Sequence, residues 1–142
     1  MFEKASGIRK FIKVGLWGDM KGGKTRLALS FPRPAVIDSE KGSILYADQY
    51  DFRIQEVIRW QDLGPVMDWA KKNAGKEFET LVIDSVTPLY ADLVEGVATT
   101  EKNRTGRDFM SQLAWQIVKR RFKAFLRILL ELPCHTVITS RA

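Results

Sequence analysis

The residue types and spacing best suited to chemistry lie in one short stretch, Gly18-Asp19-Met20-Lys21-Gly22-Gly23-Lys24-Thr25. It follows the apolar run Phe11–Trp17 and leads into a helical pattern over Lys24–Ser30, which is the strand–loop–helix context of a phosphate-binding loop. Glycines allow backbone N–H groups to turn inward around a phosphate, and the first helical turn presents its positive end to the same anion. We therefore predict that this stretch and Arg26 bind the phosphates of a nucleotide.

Side chains from two places are suited to the phosphates and to a cation. In the loop, Lys24 is predicted to reach the β- and γ-phosphates, and the Thr25 hydroxyl to hold Mg²⁺. Asp84 ends a second apolar run, and a carboxylate at the end of a buried strand would hold the same Mg²⁺ opposite Thr25. The alternative is that Asp84 or Ser85 caps the N-terminus of the following helix.

A group that activates water is the next requirement for hydrolysis. Many phosphate-loop ATPases carry Glu directly after the strand-end Asp, but here that position is Ser85, which cannot act as the base. Glu40 follows the predicted strand Ala35–Asp38, at the rim where ligands bind in open α/β sheets, so it is the better candidate. The alternative interpretation of Glu40 is a solvated loop residue paired with Lys41.

Alternating strand and helix patterns must position these residues. Short apolar or alternating runs predict strands over Phe11–Trp17, Ala35–Asp38, Phe52–Ile58, Thr80–Asp84 and His135–Thr139. Periodicity and stop residues predict helices over Lys24–Ser30, Gln61–Asn73, Pro88–Val97 and Asp108–Leu132, with Asp108 as the last N-cap and Thr99–Arg107 as a connector. This alternation predicts one α/β domain, residues 1–142, with a parallel sheet covered on both faces.

Bulk composition excludes several classes of protein. The 142 residues, 45% hydrophobic and 28% charged, are ordinary for a single globular domain. No apolar run approaches the roughly 20 residues of a membrane span, and the N-terminus lacks the apolar segment of a signal peptide. The single cysteine, Cys134, excludes an internal disulfide framework, fits a reducing cytosol and is expected to be buried.

The net charge of +6 favours an anionic partner, with nucleic acid as the natural candidate and solubility as the alternative. In the last helix, basic residues recur opposite the apolar arc, at Lys119, Arg120, Lys123 and Arg127. A solvated face is the favoured interpretation of this pattern and a nucleic-acid track is the alternative. Arg121 falls within the apolar arc and has no sequence-based explanation. All four tryptophans are expected in the core.

Four segments of the chain resemble the core of the RecA-type recombinase ATPases, and in particular the small phage RecA-like ATPases of the single-strand-annealing or recombination group. These segments are Gly18–Thr25, Val36–Glu40, Leu81–Val86 and Val137–Ser140. The resemblance implies a three-layer P-loop NTPase fold, with a mostly parallel sheet of about five strands. It also implies assembly in which subunits meet at the nucleotide.

The resemblance further implies roles for individual residues. The family residue that matches Glu40 polarises the attacking water, and the one that matches Asp84 belongs to the Mg²⁺ site. A polar residue at the tip of the last strand senses the γ-phosphate; the family often has Gln there, and this chain offers Thr139 or Ser140. The position of the family's first DNA-contacting loop is held by the connector that contains Lys102, Arg104 and Arg107.

The implied function is an ATP-binding, Mg²⁺-dependent ATPase of phage or viral DNA recombination, repair or replication, acting in the host cytoplasm on single-stranded DNA. Arg141 is a candidate for stabilising charge at a neighbouring subunit's nucleotide. Two alternatives remain open. One is a nucleotide or small-molecule kinase with Arg104 and Arg107 on a mobile lid. The other is a nucleotide-dependent binding module without turnover.

The sequence ends at Ala142, directly after the last predicted strand. The family places a further strand and a second DNA-contacting loop beyond that point, so the resemblance predicts a C-terminally truncated domain. Phe11–Trp17 would then be an exposed apolar sheet edge, which favours association. We expect either the N-terminal segment or a second copy of the chain to cover it.

Overall fold

A five-stranded sheet, ordered β1-β5-β4-β2-β3, lies at the centre of the described part of the chain. The structure is a computed structural model and describes residues 1–8 and 10–142. The strands are β1 Lys13–Gly18, β2 Pro34–Asp38, β3 Arg53–Glu56, β4 Thr80–Asp84 and β5 His135–Arg141. All four strand pairings are parallel, which confirms the predicted α/β class with about five strands.

Helices cover both faces of this sheet. They are α1 Lys24–Leu29, α2 Leu63–Asn73, α3 Val86–Thr105 and α4 Gln112–Glu131, with short 3₁₀ turns at Ala5–Gly7, Ser43–Tyr46 and Trp60–Asp62. On one face α1 packs against Val36, Val82 and Val137, and the other face carries residues of α2, α3 and α4 packed on Ile37 and Ile83. Because β2 and β4 are buried on both faces, they appear in the sequence as continuous apolar runs.

The predicted connector between the last two helices is wrong in its extent. Helix α3 continues to Thr105 and ends only at Gly106, whose φ of 72° is the left-handed conformation that glycine adopts without a Cβ penalty. The predicted N-cap of α4 is also wrong. The Ser111 side chain accepts the cap hydrogen bond from the Ala114 N–H at 3.1 Å, whereas Asp108 forms an ion pair with Lys102.

The expectation that all four tryptophans lie in the core is wrong. Trp17, Trp69 and Trp115 are 75%, 40% and 39% exposed, although one ring face of Trp69 stacks on the buried Phe78, and Trp60 packs within the helical core. The reason at Trp17 is topological, because β1 is an edge strand that pairs only with β5 among the described strands. An apolar run predicts a strand, but it does not say whether a neighbour covers it.

Lys13 on β1 joins the sheet to the end of α4. Its ammonium donates to the carbonyls of Leu129, Leu132 and Cys134 at 2.7–2.9 Å and to the Thr136 hydroxyl at 3.0 Å. Leu129 lies in the last turn of α4, where carbonyls lack partners within the helix, and a cation also opposes the negative end of the helix dipole. Burial lowers the pKa of Lys13, and it raises the pKa of the buried Cys134 thiol.

No helix in the described ranges has the combination of length and apolarity that crossing a membrane requires.

Candidate nucleotide site

The predicted phosphate-binding loop lies between β1 and α1, at the carboxyl edge of the sheet. Gly23 has a φ of 85° and forms the N-cap of α1, so a side chain at that position would strain the turn. The Lys24 ammonium folds back over the loop and donates to the carbonyls of Gly18 at 2.8 Å and Asp19 at 2.6 Å. The lysine is therefore held directly above the loop that the sequence predicts to surround phosphate.

Asp84 joins three elements of the site through its carboxylate. Oδ2 accepts a hydrogen bond from the Thr25 hydroxyl at 2.9 Å, and Oδ1 accepts one from the Thr139 hydroxyl at 2.7 Å. Asp84 is only 6% exposed, so both hydrogen bonds form largely out of water, where charged acceptors gain most from a partner. The first turn of α1 and the ends of β4 and β5 are thus tied together at one carboxylate.

Ser85, the residue after Asp84, caps the N-terminus of α3. The Ser85 hydroxyl accepts from the Thr87 N–H at 3.0 Å and caps α3, so of the two predicted cap candidates Ser85 has this role. Ser39 fixes the same corner, because its hydroxyl donates to the Ser85 carbonyl and accepts from the Ser85 N–H at 2.9 Å. The Asp84 carboxylate is left facing Thr25 and Thr139 rather than the helix end.

Glu40 lies just past β2 and forms an ion pair with Arg141, with Oε1 and Nε 2.7 Å apart. Oε1 is buried and no N–H or O–H of a described residue is aligned with it, so the contact is an ion pair without hydrogen-bond geometry. The alternative pairing of Glu40 with Lys41 is not observed, because Lys41 lies 3.4 Å from Glu56 instead. The Glu40 N–H donates to Asp38 at 3.1 Å, which fixes the backbone at this turn.

The structure brings most of the predicted site residues to one small pocket. It has a volume of about 80 Å³ and is lined by Met20, Lys21, Gly23, Lys24, Thr25, Glu40, Tyr46, Asp84, Ser85, Thr139 and Arg141. A larger groove of about 480 Å³, lined mainly by apolar side chains of β2, β3 and α2, contains none of them. We place the chemistry at the small pocket, because ionisable and hydroxyl groups converge there.

The two alternative candidates for the sensor role, Thr139 and Ser140, are placed differently. Thr139 is buried and its hydroxyl is bound to Asp84, whereas the Ser140 hydroxyl lies 3.3 Å from that of Thr87, outside the pocket. Arg141 reaches the pocket, and sequence reasoning missed its pairing with Glu40. The predicted strand stopped at Thr139, but β5 runs to Arg141, and a charged residue at a strand's carboxyl end was the available indication.

The predicted DNA-contacting residues lie away from this pocket, where α3 ends. Lys102 pairs with Asp108 at 2.6 Å and Arg104 with Glu101 at 3.2 Å. A hydrogen bond with Ser111, supported by Arg104, lowers the pKa of Glu101. These cations are therefore largely engaged with acidic groups of the same region.

Comparison with known proteins gives the family and the fold. Residues 10–142 match a family model described as an AAA domain, and a search of curated proteins gave no match. The crystal structure of the RadB recombinase is similar, with 19% identity, a TM-score of 0.53 and coverage of 92% of this chain. This chain corresponds to 61% of that protein's length. Since the family model extends over nearly the whole chain, the protein belongs to the AAA domain family, and its fold is RecA-like.

Proposed function

We propose that this protein is an ATP-binding, Mg²⁺-dependent ATPase that acts in phage or viral DNA recombination, repair or replication. The observation that supports it most directly is the Asp84 carboxylate, shared by the hydroxyls of Thr25 and Thr139, with Glu40 lining the same pocket. Binding of a nucleotide requires only a loop that surrounds its phosphates. Hydrolysis also requires groups that hold Mg²⁺ and a group that orients water, and the Asp84–Thr25 pair and Glu40 are suited to these roles.

The donor set at the loop fits Mg²⁺. This ion prefers oxygen ligands and keeps several waters, and the Thr25 hydroxyl and Asp84 carboxylate lie 2.9 Å apart at the pocket. When bound with the nucleotide, Mg²⁺ would supply positive charge to the β- and γ-phosphate oxygens. The Thr25 hydroxyl would then no longer donate to Asp84. The Thr25 hydroxyl oxygen and the Asp84 Oδ2 oxygen would both be available as ligands. Lys24 would exchange its two loop carbonyls for phosphate oxygens.

Glu40 is the residue that we propose to orient the attacking water. Its carboxylate lines the pocket, where it would accept a hydrogen bond from that water. Arg141 holds this carboxylate through the ion pair at 2.7 Å. Thr139 holds Asp84 rather than the phosphate, so its proposed role is to orient the metal ligand.

The exposed edge of the sheet at β1 supports a proposed self-association, and the resemblance supports a proposed location in the host cytoplasm. The residues 1–8 that the structure describes form no strand with β1, and Trp17 at its end is exposed. We propose that further copies of the chain associate at this edge, in the cytoplasm of the host cell. A strictly monomeric protein with rapid amide exchange along β1 would contradict that assembly.

An ATPase assay with and without single-stranded DNA tests the proposed function, with Lys24→Ala as the control. We expect phosphate release that depends on Mg²⁺, increases with DNA and is absent in the control. Tight ATP binding without release would favour a binding module. Phosphorylation of an added nucleotide or small-molecule acceptor would favour a kinase, although Arg104 of the predicted lid is already paired with Glu101.

A further inference from the structure

The basic residues of α4 form an exposed surface without intramolecular partners. Lys119, Arg120, Lys123 and Arg127 lie on the outer side of the helix, whereas Arg121 lies beside the groove between α2 and α4, and all five are exposed. No ion pair or side-chain hydrogen bond joins them to any other residue in the described ranges. The only acidic residue of the helix is Glu131 at its last position, and it forms no ion pair with them.

This helix accounts for most of the protein's excess positive charge. Its five basic residues and Glu131 give it a net charge of +4, and the rest of the chain has 18 Lys and Arg against 16 Asp and Glu, which leaves +2 of the overall +6. Charge that only maintains solubility has no reason to gather on one helix, because like charges at neighbouring helical positions repel. Concentrated, unpaired charge is the electrostatic footprint of a site for a polyanion.

The tip between α3 and α4 provides a comparison within the same protein. Its three basic residues are Lys102, Arg104 and Arg107, of which the first two form ion pairs with Asp108 and Glu101. Arg107 lies over the ring of Phe109 at 5.7 Å. A cation that already has an acidic neighbour gains less from a phosphate, so the α4 surface is the better polyanion site.

An aromatic ring extends one row of these cations. Trp115, Lys119, Lys123 and Arg127 follow each other at every fourth position, so they form a ridge about 18 Å long at 1.5 Å per residue. Trp115 is 39% exposed and forms no ring contact with a described residue. An exposed ring next to cations that follow one line suits single-stranded nucleic acid, whose bases stack on aromatic side chains.

We propose that the outer face of α4, with the ridge Trp115–Lys119–Lys123–Arg127 at its centre, binds single-stranded nucleic acid through its phosphates and a stacked base. The inference rests on the proposed function, because it names the surface through which an ATPase of DNA recombination would hold its strand. The face lies on the helical layer opposite α1, so nucleic acid bound there would not occupy the nucleotide pocket.

Two variants with equal net charge test the surface against the tip. One carries Lys119→Gln, Lys123→Gln and Arg127→Gln, and its matched control carries Lys102→Gln, Arg104→Gln and Arg107→Gln. Binding of a fluorescent 30-nucleotide oligothymidylate is measured by anisotropy from about 50 to 300 mM NaCl. We expect the α4 variant to lose at least about 10-fold in affinity and about 2 units of log–log salt slope, at roughly 0.7 per lost contact. The tip variant should lose much less.

A single substitution at Trp115 separates single strands from duplexes. Trp115→Ala should weaken oligothymidylate binding about 5- to 10-fold through the loss of a stacked base, and Trp115→Phe should restore most of it. Binding of a 30-base-pair duplex should change little in either variant. If Trp115→Ala weakened the binding of oligothymidylate and of the duplex equally, the effect would not come from a stacked base. That result would overturn the stacking part of the proposal.

Other outcomes overturn the proposal or separate it from the proposed function. The α4 surface is excluded if the tip variant loses more affinity, or if wild-type protein binds neither oligonucleotide nor duplex. Binding to phosphatidylserine vesicles, but not to oligonucleotide, would assign the surface to a membrane. Affinity for a fluorescent ATP analogue is measured in parallel. If ATP binding is absent while DNA binding follows the expected pattern, the proposed function fails and this inference stands.

Discussion

The carboxyl edge of the sheet and the outer face of α4 are both rich in polar side chains, but they use them differently. At the edge, Thr25 and Thr139 share the Asp84 carboxylate, and Glu40 lies against Arg141. On α4, five exposed cations form no ion pair with any residue that the structure describes. The edge is already organised around the groups it would present to a nucleotide, whereas α4 has its charge free.

The difference corresponds to two kinds of recognition. Catalysis requires groups that are fixed to within fractions of an ångström. The conformational entropy of these side chains must therefore be lost when the protein folds, before the substrate binds. Binding of a flexible polyanion requires only charge density and tolerates mobile side chains. Substitutions at the edge should therefore affect both chemistry and stability, and substitutions on α4 should affect neither.

The largest expected effect is at Lys24. Lys24→Ala removes a charged donor to the phosphates, and two such hydrogen bonds at about 1.5 kcal/mol each correspond to roughly 100-fold in ATP affinity. Titration with a fluorescent ATP analogue measures it. Lys71→Ala is the control, because Lys71 lies on α2 and does not line the pocket. Equal losses in the two variants would contradict a specific role for Lys24.

Asp84→Asn should separate binding from turnover. The amide keeps the shape and one acceptor oxygen, but it removes the charge that would hold Mg²⁺, so we expect phosphate release to fall by about 100-fold, or roughly 2.7 kcal/mol. ATP affinity without Mg²⁺ should change little. Turnover close to that of the wild type would show that Asp84 is not a metal ligand.

Removal of the Thr139 hydroxyl should lower the stability of the protein more than removal of the neighbouring Ser140 hydroxyl. Thr139→Val leaves Asp84 Oδ1 buried without its donor, which costs about 1–3 kcal/mol in the free energy of unfolding. Ser140→Ala removes a 3.3 Å contact with Thr87 and should cost under about 1 kcal/mol. Urea unfolding of both variants measures the difference. Equal costs would mean that the Asp84 network is no more rigid than its surroundings.

The smallest expected effect is on α4. Replacing Lys119, Lys123 and Arg127 by Gln should change the free energy of unfolding by no more than about 0.5 kcal/mol, because exposed positions without partners contribute little. Salt should raise the melting temperature of the wild type slightly more than that of the variant, since it screens repulsion among these cations. A clear loss of stability would reveal a structural role for the face and weaken the comparison.

Most of the fold and much of the candidate site could be predicted from local pattern. The phosphate-binding loop, the four segments of resemblance and the apolar runs located the sheet and its carboxyl edge. Glu40 and Asp84 were identified because residues that directly follow parallel strands collect at one edge. The cap of α4 and the extent of α3 were mistaken, because helix ends depend on which of several nearby groups wins a hydrogen bond.

The partners of charged side chains could not be predicted in this way. Glu40 was weighed against Lys41, one residue away, but its partner is Arg141, about a hundred positions further along the chain. Arg121 had no explanation because its helical position lies within the apolar arc, yet it is exposed beside the groove between α2 and α4. Only packing decides which part of an arc is covered.

By itself, the sequence determined the alternation of strands and helices, the phosphate-binding loop and the acidic residues at the strand ends, because each depends on neighbours within a few positions. The tertiary structure decided that β1 is an edge, that Thr139 serves Asp84, and that Arg141 faces Glu40. It also decided that Lys102 and Arg104 at the tip form ion pairs, whereas the cations of α4 form none with the described residues. The physical reason is that a charge's partner and a strand's neighbour depend on distances between segments far apart in sequence.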